Sequence, residues 1–204
     1  GDIRAEELLR LLQALIETDE AVRDELLDPE AVIQALRDWL DEDISPRVPN
    51  GAEDDYYLGL ERPYRSANRL LESTSELMAV RGITPAIYRA LLPHVSALPP
   101  GTPVNVNTAS EYVLAAVIPE LPLADARQII ALRDETPFET LEEFLQSDPM
   151  AGRQVDDTRL SVRSSYFQLH ANVTVGRGRV DLYSLFFRDP GGQIGLLGHS
   201  KNIY

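Results

Sequence analysis

The chain has 204 residues, of which 33 are Asp or Glu and 19 are Lys or Arg, so its formal net charge at pH 7 is −14. An acidic chain repels phosphates, which disfavours a nucleic-acid partner. The chain has no Cys, which excludes disulfides and thiolate metal sites, and it has no apolar run of about 18 residues that could span a membrane. The net charge is −12 over residues 1–60, −5 over 61–150 and +3 over 151–204.

The N-terminal part of the chain is predicted to be helical. Apolar residues at helical spacing indicate a helix over 4–16. Asp28 followed by Pro29 is typical of a helix start, and the apolar stripe after them predicts a helix that ends near Asp41. Segment 41–67 contains three Pro and two Gly, so it is predicted to be a long loop.

The middle of the chain predicts short helices in two similar units. Ser73 and Glu76 form a capping box, and Thr84 precedes Pro85 at the start of the next helix. The helices are expected from Ser73 to Gly82, from Thr84 to Pro93, from Asn107-Thr108 onward, over Leu123–Arg133 and over Thr140–Leu145. Residues 73–145 therefore resemble a loose internal duplication of a helix-hairpin-helix unit.

The composition changes after about residue 150. Segments rich in β-branched and aromatic residues, separated by turn residues such as Asp189-Pro190-Gly191-Gly192, predict an antiparallel meander of about three strands. The predicted class is α+β, with a helical domain over 1–150 and a β portion over 155–204. A sheet this small needs a cover on one face, which helices of the chain or a partner must supply.

Carboxylates cluster in the predicted loop. Seven acids and a single base, Arg47, lie between residues 38 and 55. Ca²⁺ takes about six to eight oxygen ligands and tolerates irregular loops, so a calcium site is one interpretation. The EF-hand register fails because Pro46 stands where that motif needs Gly. A solvated acidic loop is the other interpretation, and these residues alone leave both open.

The paired short helices also allow a DNA-binding interpretation. Helix-hairpin-helix units hold the DNA backbone on a glycine-rich turn, but the second unit has Ile118-Pro119-Glu120 there, and Glu120 would face phosphate. A packing or protein-binding role is therefore favoured.

No catalytic constellation is evident in the sequence. None of His94, His170 and His199 has a Ser or Asp at a recognised spacing, and neither a glycine-rich phosphate loop nor a His-x-x-x-His motif occurs. The chain is therefore not expected to be an enzyme.

Three stretches, in their order and spacing, resemble the K-class minor pseudopilin of the type II secretion system (general secretion pathway protein K). They are RDWLDEDISPRVPNGAEDDYY, YRSANRLLESTSELMAVRGIT and TPVNVNTASEYVLAAV, and the resemblance covers roughly 30–190. The Asn-x-Asn-Thr-Ala pattern in the third stretch is shared with competence-type helix-hairpin-helix DNA-binding domains, which supply the alternative function.

The resemblance implies a pilin-like plan, in which a long N-terminal helix packs on an antiparallel sheet and a large helical (helix-hairpin-helix or SAM-like) domain is inserted between strands. It implies no enzymatic activity. It implies a protein of the Gram-negative inner membrane that moves to the tip of the periplasmic pseudopilus, with I- and J-class minor pseudopilins as partners and possible contacts with secreted substrates and the secretin. The chain lacks the family's leader, hydrophobic helix and first strand, so a soluble periplasmic fragment is expected, with a membrane link only through the missing helix.

The resemblance also implies that the helical domain binds Ca²⁺. Asp41 and Asp43 match an Asp-x-Asp pattern after the family's Trp, and Glu53 and Asp54 match its Gly-Ala-Glu-Asp pattern. The expected Ca²⁺ ligands are Asp41, Asp43, Glu53, Asp54 and Asp55, with the amide oxygen of Asn68 as a further candidate.

Overall fold

A computed structural model describes residues 5–176 and 178–203, without the side chains of residues 202 and 203. Its helices are α1 Ala5–Thr18, α2 Glu20–Glu25, α3 Pro29–Leu40, α4 Asp54–Tyr57, α5 Pro85–Leu91, α6 Glu111–Val117, α7 Leu123–Glu135 and α8 Leu141–Leu145. Three 3₁₀ turns span Thr74–Ala79, Asp148–Met150 and Asp157–Arg159, and the strands are β1 Val104–Asn105, β2 Leu160–Ser161, β3 Tyr166–Val175, β4 Gly178–Arg188 and β5 Ile194–Ile203. The predicted α+β class is confirmed.

The first three helices follow from local capping. Asp19 accepts hydrogen bonds from the first turn of α2, and Asp28 caps α3, in which Pro29 occupies the first position as predicted. The predicted helix over 4–16 is confirmed as α1 and runs two residues further, while Arg4 lies outside the described residues. Helix α2 was not predicted, because its six residues bury only Val22 and show no periodicity.

Two expectations for the middle of the chain need correction. The capping box of Ser73 and Glu76 is present, but it starts a 3₁₀ helix rather than an α-helix. Helix α6 does not start at Asn107-Thr108; Ser110 caps it by accepting a hydrogen bond from the Val113 amide. The Asn107 side chain instead forms hydrogen bonds with the backbone of Phe138. It therefore makes tertiary contacts and does not cap the helix.

Three buried clusters hold the helical part together. One lies between α1, α2, α3 and α5 and includes Leu12 and Ile87. A second lies around α6, α7 and α8 and includes Ile129 and Phe144. The third packs Trp39 at the end of α3 against Val80 and against Tyr57, which belongs to segment 41–67. This third cluster positions the acidic segment.

The C-terminal meander is confirmed as an antiparallel sheet of order β3-β4-β5, with a bulge in β5 opposite Leu185 and Phe186. Directly paired residues share a face, and one face carries large apolar side chains that are exposed. They are Phe167, Leu169, Val173, Val175, Leu182, Ile194 and Leu196. Strands β1 and β2 form a short parallel bridge that the sequence did not predict.

Within the described part of the chain, no helix combines the length and the apolar character needed to cross a membrane.

Candidate metal site

Aromatic side chains anchor the acidic segment 41–67 to the helical core. The Trp39 ring meets the edges of Tyr57 and Tyr64, at centroid distances of 5.2 and 6.2 Å. The Tyr57 hydroxyl accepts a hydrogen bond from the Arg81 amide at 3.2 Å, and burial raises the pKa of Tyr57 to about 12. The predicted long loop thus contains the short helix α4 and is held by specific contacts.

Asp38 at the end of α3 holds the first turn of this segment through its contacts with Arg47. Its side chain is fully buried at the end of α3, and one carboxylate oxygen accepts a hydrogen bond from the Arg47 amide at 3.0 Å. The Arg47 guanidinium pairs with Asp38 at 3.3 Å and with Asp41 at 2.8 Å. A Cβ at Gly51 would overlap the Asp38 carboxylate and the Arg47 backbone, so only glycine fits there.

Three predicted ligands converge close to one another in this segment and at its start. Asp41, Asp43 and Glu53 each place one carboxylate oxygen within 4.8 Å of the other two. Asn68 lies beside them, since its amide nitrogen donates to the Asp43 carbonyl at 2.9 Å. The buried oxygens Asp41 Oδ1, Glu53 Oε1 and Asn68 Oδ1 have no hydrogen-bond partner among the described residues. Unsatisfied buried oxygens are costly, so such a cluster is typical of a site that a cation completes.

Burial of the carboxylates and repulsion between them also favour a bound cation. Burial raises the pKa of Asp41, and the neighbouring Asp43 charge adds to this effect while Arg47 opposes it. Burial also raises the pKa of Glu53, against a hydrogen bond from Ser66, and the charges of Asp38, Asp41 and Asp43 raise it further. The ionised cluster is therefore unfavourable by itself, and a bound cation would remove the repulsion.

The structure does not bring the other two predicted ligands to the cluster. Asp54 Oδ1 accepts hydrogen bonds from the amide and hydroxyl of Ser66, and Asp54 Oδ2 pairs with Arg65 at 3.4 Å. Asp55 is exposed on α4 and lies outside the group of converging carboxylates. Consecutive residues of a helical turn point in different directions, which separates both side chains from Glu53.

Asp38 is the residue that sequence reasoning missed. Asp38 is one of the seven acids between residues 38 and 55, but it is not among the ligands that the resemblance implies. Its position on the apolar stripe of α3, between Ala35 and Trp39, is the available signal, because a carboxylate on a buried face must have a structural partner.

The donor set indicates the type of ion. The converging groups are carboxylate and amide oxygens, without His or Cys, which suits a hard cation. An irregular site that mixes carboxylate and amide oxygens suits Ca²⁺ better than Mg²⁺, which demands a near-octahedral shell and keeps most of its waters.

The second helix pair offers no phosphate site. Glu120 in its turn has a positive φ of 59°, and its carbonyl accepts a hydrogen bond from Arg153. The same guanidinium pairs with Asp125 at 2.6 Å. The protein's own arginine thus occupies the turn that a phosphate would need.

The partly buried histidine of the helical part also has a structural explanation. His94 Nδ1 lies 2.8 Å from the Ser110 hydroxyl, and burial lowers its pKa. Ser110 already caps α6, so this pair joins the turn after α5 to the start of α6.

Two family models described as type II secretion system (T2SS) protein K match residues 3–100 and 104–163. The type II secretion system protein K of Pseudomonas aeruginosa is 41% identical over 160 residues, which are 78% of this chain and 47% of that protein. The protein K of Aeromonas hydrophila is 35% identical over 182 residues, which are 85% of this chain and 55% of that protein. The chain thus spans about half the length of these curated relatives.

A similar solved structure is a chain of the GspK-GspI-GspJ complex from the type 2 secretion system of enterotoxigenic Escherichia coli. It superposes with a TM-score of 0.75 at 28% sequence identity. The match covers 97% of this chain and 69% of that chain.

Proposed function

Because the chain belongs to the type II secretion system protein K family, we propose that it is part of a non-enzymatic minor pseudopilin that caps the tip of the secretion pseudopilus. The observation that carries the proposal is the structural match over 97% of the chain to a component of a GspK-GspI-GspJ complex. The proposed partners are the I- and J-class minor pseudopilins, and the proposed location is the periplasmic side of the inner membrane. No observation favours the alternative of a DNA-binding module.

The uncovered apolar face of the β3-β4-β5 sheet supports the pilin-like plan. Leu169, Val173 and Leu196 are exposed on this face, although residues of this kind are normally buried in a sheet. A long N-terminal helix laid on the face, as in pilins, would cover them. The described helical part would then be the inserted domain of the protein.

The size of the helical part supplies a mechanism for capping. Residues 5–159 contain every described α-helix and form a head much larger than the three-stranded sheet. A subunit that joins the filament through its sheet and covering helix would place this head where the next subunit must stack. Such a subunit can begin or end a filament but would clash inside it.

Co-purification with the two partner classes tests the proposal. Full-length protein should form a stable complex with the I- and J-class minor pseudopilins, and antibody labelling should place it at one end of the pseudopilus. Labelling along the whole filament would contradict the capping mechanism. Failure to form the complex would contradict the assignment of partners.

The carboxylate cluster supports a structural Ca²⁺ as part of the same proposal. Asp41, Asp43 and Glu53 would be the charged ligands and Asn68 would add its amide oxygen. The ion would join the end of α3, the start of α4 and the segment that follows it. Its role would be to hold the acidic segment in one conformation on the head.

A further inference from the structure

Three aliphatic side chains on the helical head are almost completely in solvent. The exposed fractions are 87% for Leu27, 73% for Ile44 and 90% for Val48. The next most exposed large apolar residue outside the sheet, within the described chain, is Met78 at 52%. Single exposed aliphatic side chains are ordinary on a protein surface, but exposed side chains that lie together can mark an interaction site.

The backbone beneath two of these side chains is fixed. Val48 follows Arg47, whose guanidinium is held by Asp38 and Asp41. Ile44 follows Asp43, whose carbonyl accepts a hydrogen bond from Asn68. A surface held in this way binds at a lower entropic cost than a mobile loop, because little ordering remains for the moment of binding.

Hydrogen bonds of Asn50 bring the turn that carries Val48 to the start of α3, and Ile44 lies four residues before Val48 in the chain. The Asn50 amide donates to Gln34 on α3 at 2.9 Å, and the Asn50 side chain lies 3.4 Å from the Asp28 carboxylate. The turn that carries Val48 therefore packs against the junction of α2 and α3, where Leu27 lies. We call Leu27, Ile44 and Val48 the aliphatic surface.

The charge around the aliphatic surface restricts what can cover it. Exposed carboxylates outside the converging group adjoin it in the chain, namely Asp28 next to Leu27 and Glu42 close to Ile44. The nearby base, Arg47, is already paired with two carboxylates. A second copy of this chain would bring the same negative charge, and an anionic lipid surface would also be repelled. A protein with an apolar cleft bordered by Lys and Arg is complementary in both respects.

We propose that the aliphatic surface docks a second protein that has an apolar cleft with a basic border. The proposal rests on the proposed function, since it gives the exposed head of a tip subunit a partner other than the I- and J-class pseudopilins. Val48 and Ile44 are the anchors that enter the cleft, and Asp28 and Glu42 meet its border. A few central, fully desolvated residues usually carry most of the binding energy of an interface.

The test uses the full-length protein in a cell that exports protein by this system. A photoreactive benzoylphenylalanine is placed at Val48, at Ile44 or at the control position Met78. Val48 and Ile44 should form an adduct with the same protein, through a peptide rich in Lys or Arg, and Met78 should not. The yield of this adduct in isolated envelopes should fall several-fold as salt is added, because screening weakens charge complementarity.

Single substitutions complete the test. V48D and I44D should each abolish the adduct formed at the other position and lower export at least about tenfold, as expected for an interface anchor. M78D should do neither, and co-purification with the I- and J-class pseudopilins should stay unchanged. These positions are exposed, so the variants should fold, which thermal melting checks.

Several results would overturn the proposal. They are adducts only with the I- or J-class pseudopilins, with a second copy of the chain or with lipid, or wild-type export by V48D and I44D. A wild-type protein that fails to co-purify with those pseudopilins would instead contradict the proposed function, whatever the adducts show.

Discussion

Single residues in segment 41–67 show how a buried carboxylate can order a loop. Asp38 lies on the apolar face of α3, accepts the Arg47 amide and pairs with its guanidinium. These contacts require the Gly51 backbone to lie close to the Asp38 carboxylate and the Arg47 backbone, which leaves no room for a Cβ. The two features depend on each other, because Asp38 Oδ2 gains its hydrogen bond from the Arg47 amide only if the turn closes over it.

Gly51→Ala should destabilise the protein by about 1–3 kcal/mol, because the added methyl overlaps the Asp38 carboxylate and the Arg47 backbone. Urea unfolding measures the change. Gly59→Ala is the matched control in the same segment, since its Cβ would lie at ordinary contact distances of 3.4 and 3.5 Å. Equal losses from both variants would show that the close approach at Gly51 is not the cause.

Calcium should raise the melting midpoint of the chain relative to the same protein in chelator. A ligand that binds only the native state stabilises it by about 2.7 kcal/mol at about 100 times its Kd. Asp43→Asn should remove most of this response, because Asp43 belongs to the converging group, while Asp55→Asn should retain it. Absence of any response in the unsubstituted chain would remove the calcium proposal, and a loss in Asp55→Asn would restore the ligand set expected from the sequence.

The carboxylate cluster should also make stability depend on pH when no divalent cation is present. Burial raises the pKa of Glu53 above 4.5, so at a pH between 4.5 and this raised pKa the folded protein binds more protons than the unfolded chain. The contribution of Glu53 to stability therefore rises as the pH falls from neutral towards 4.5. The unfolding free energy of the wild type minus that of Glu53→Gln, measured in chelator, should increase over this range. A constant difference would contradict the effect.

At the scale of elements, capping explains where most helices begin and tertiary contacts explain the exceptions. Asp28, Ser73 and Thr84 act as the sequence predicts, because a cap and the backbone amide that donates to it lie within one turn. Helix α6 differs because the Asn107 side chain bonds Phe138 and Val162, residues distant in the chain. Ser110 caps the helix instead.

Ser110→Ala should cost about 1 kcal/mol of stability, the usual cost of removing an N-cap hydroxyl. The hydroxyl accepts a hydrogen bond from Val113 and contacts His94, so both contacts are lost. Thr108→Ala should cost less, since Thr108 is exposed and makes only a long hydrogen bond of 3.4 Å to Asn105. Chemical denaturation of the two variants compares them, and a larger loss from Thr108→Ala would contradict the assigned start of α6.

At the scale of the whole molecule, charge and apolar surface are divided between two parts. Residues 1–60 carry a net charge of −12 and contain the carboxylate cluster, while residues 151–204 carry +3 and include the three strands of the sheet with the uncovered apolar face. The division matches the proposed roles, because the sheet would join the filament and the head would extend from it.

The uncovered face should bind an uncharged apolar dye such as Nile red. Leu169→Lys and Leu196→Lys place charges on that face and should each lower the dye fluorescence several-fold. Leu132→Lys changes an exposed leucine on α7 and should have little effect. Equal losses from all three variants would show that the dye binds elsewhere, and would leave the face without the affinity that a covering helix needs.

The sequence by itself determined the α+β class, the helices with local caps, the three strands of the meander and the family. These features depend on residues a few positions apart, or on motif order along the chain. Only the tertiary structure decided which carboxylates meet. Asp41 and Asp43 lie beside Glu53 because the aromatic cluster and the turn over Asp38 fold the segment back on itself. The short helix α4 turns Asp54 towards Ser66 and Arg65, so adjacent acids in one motif serve different partners.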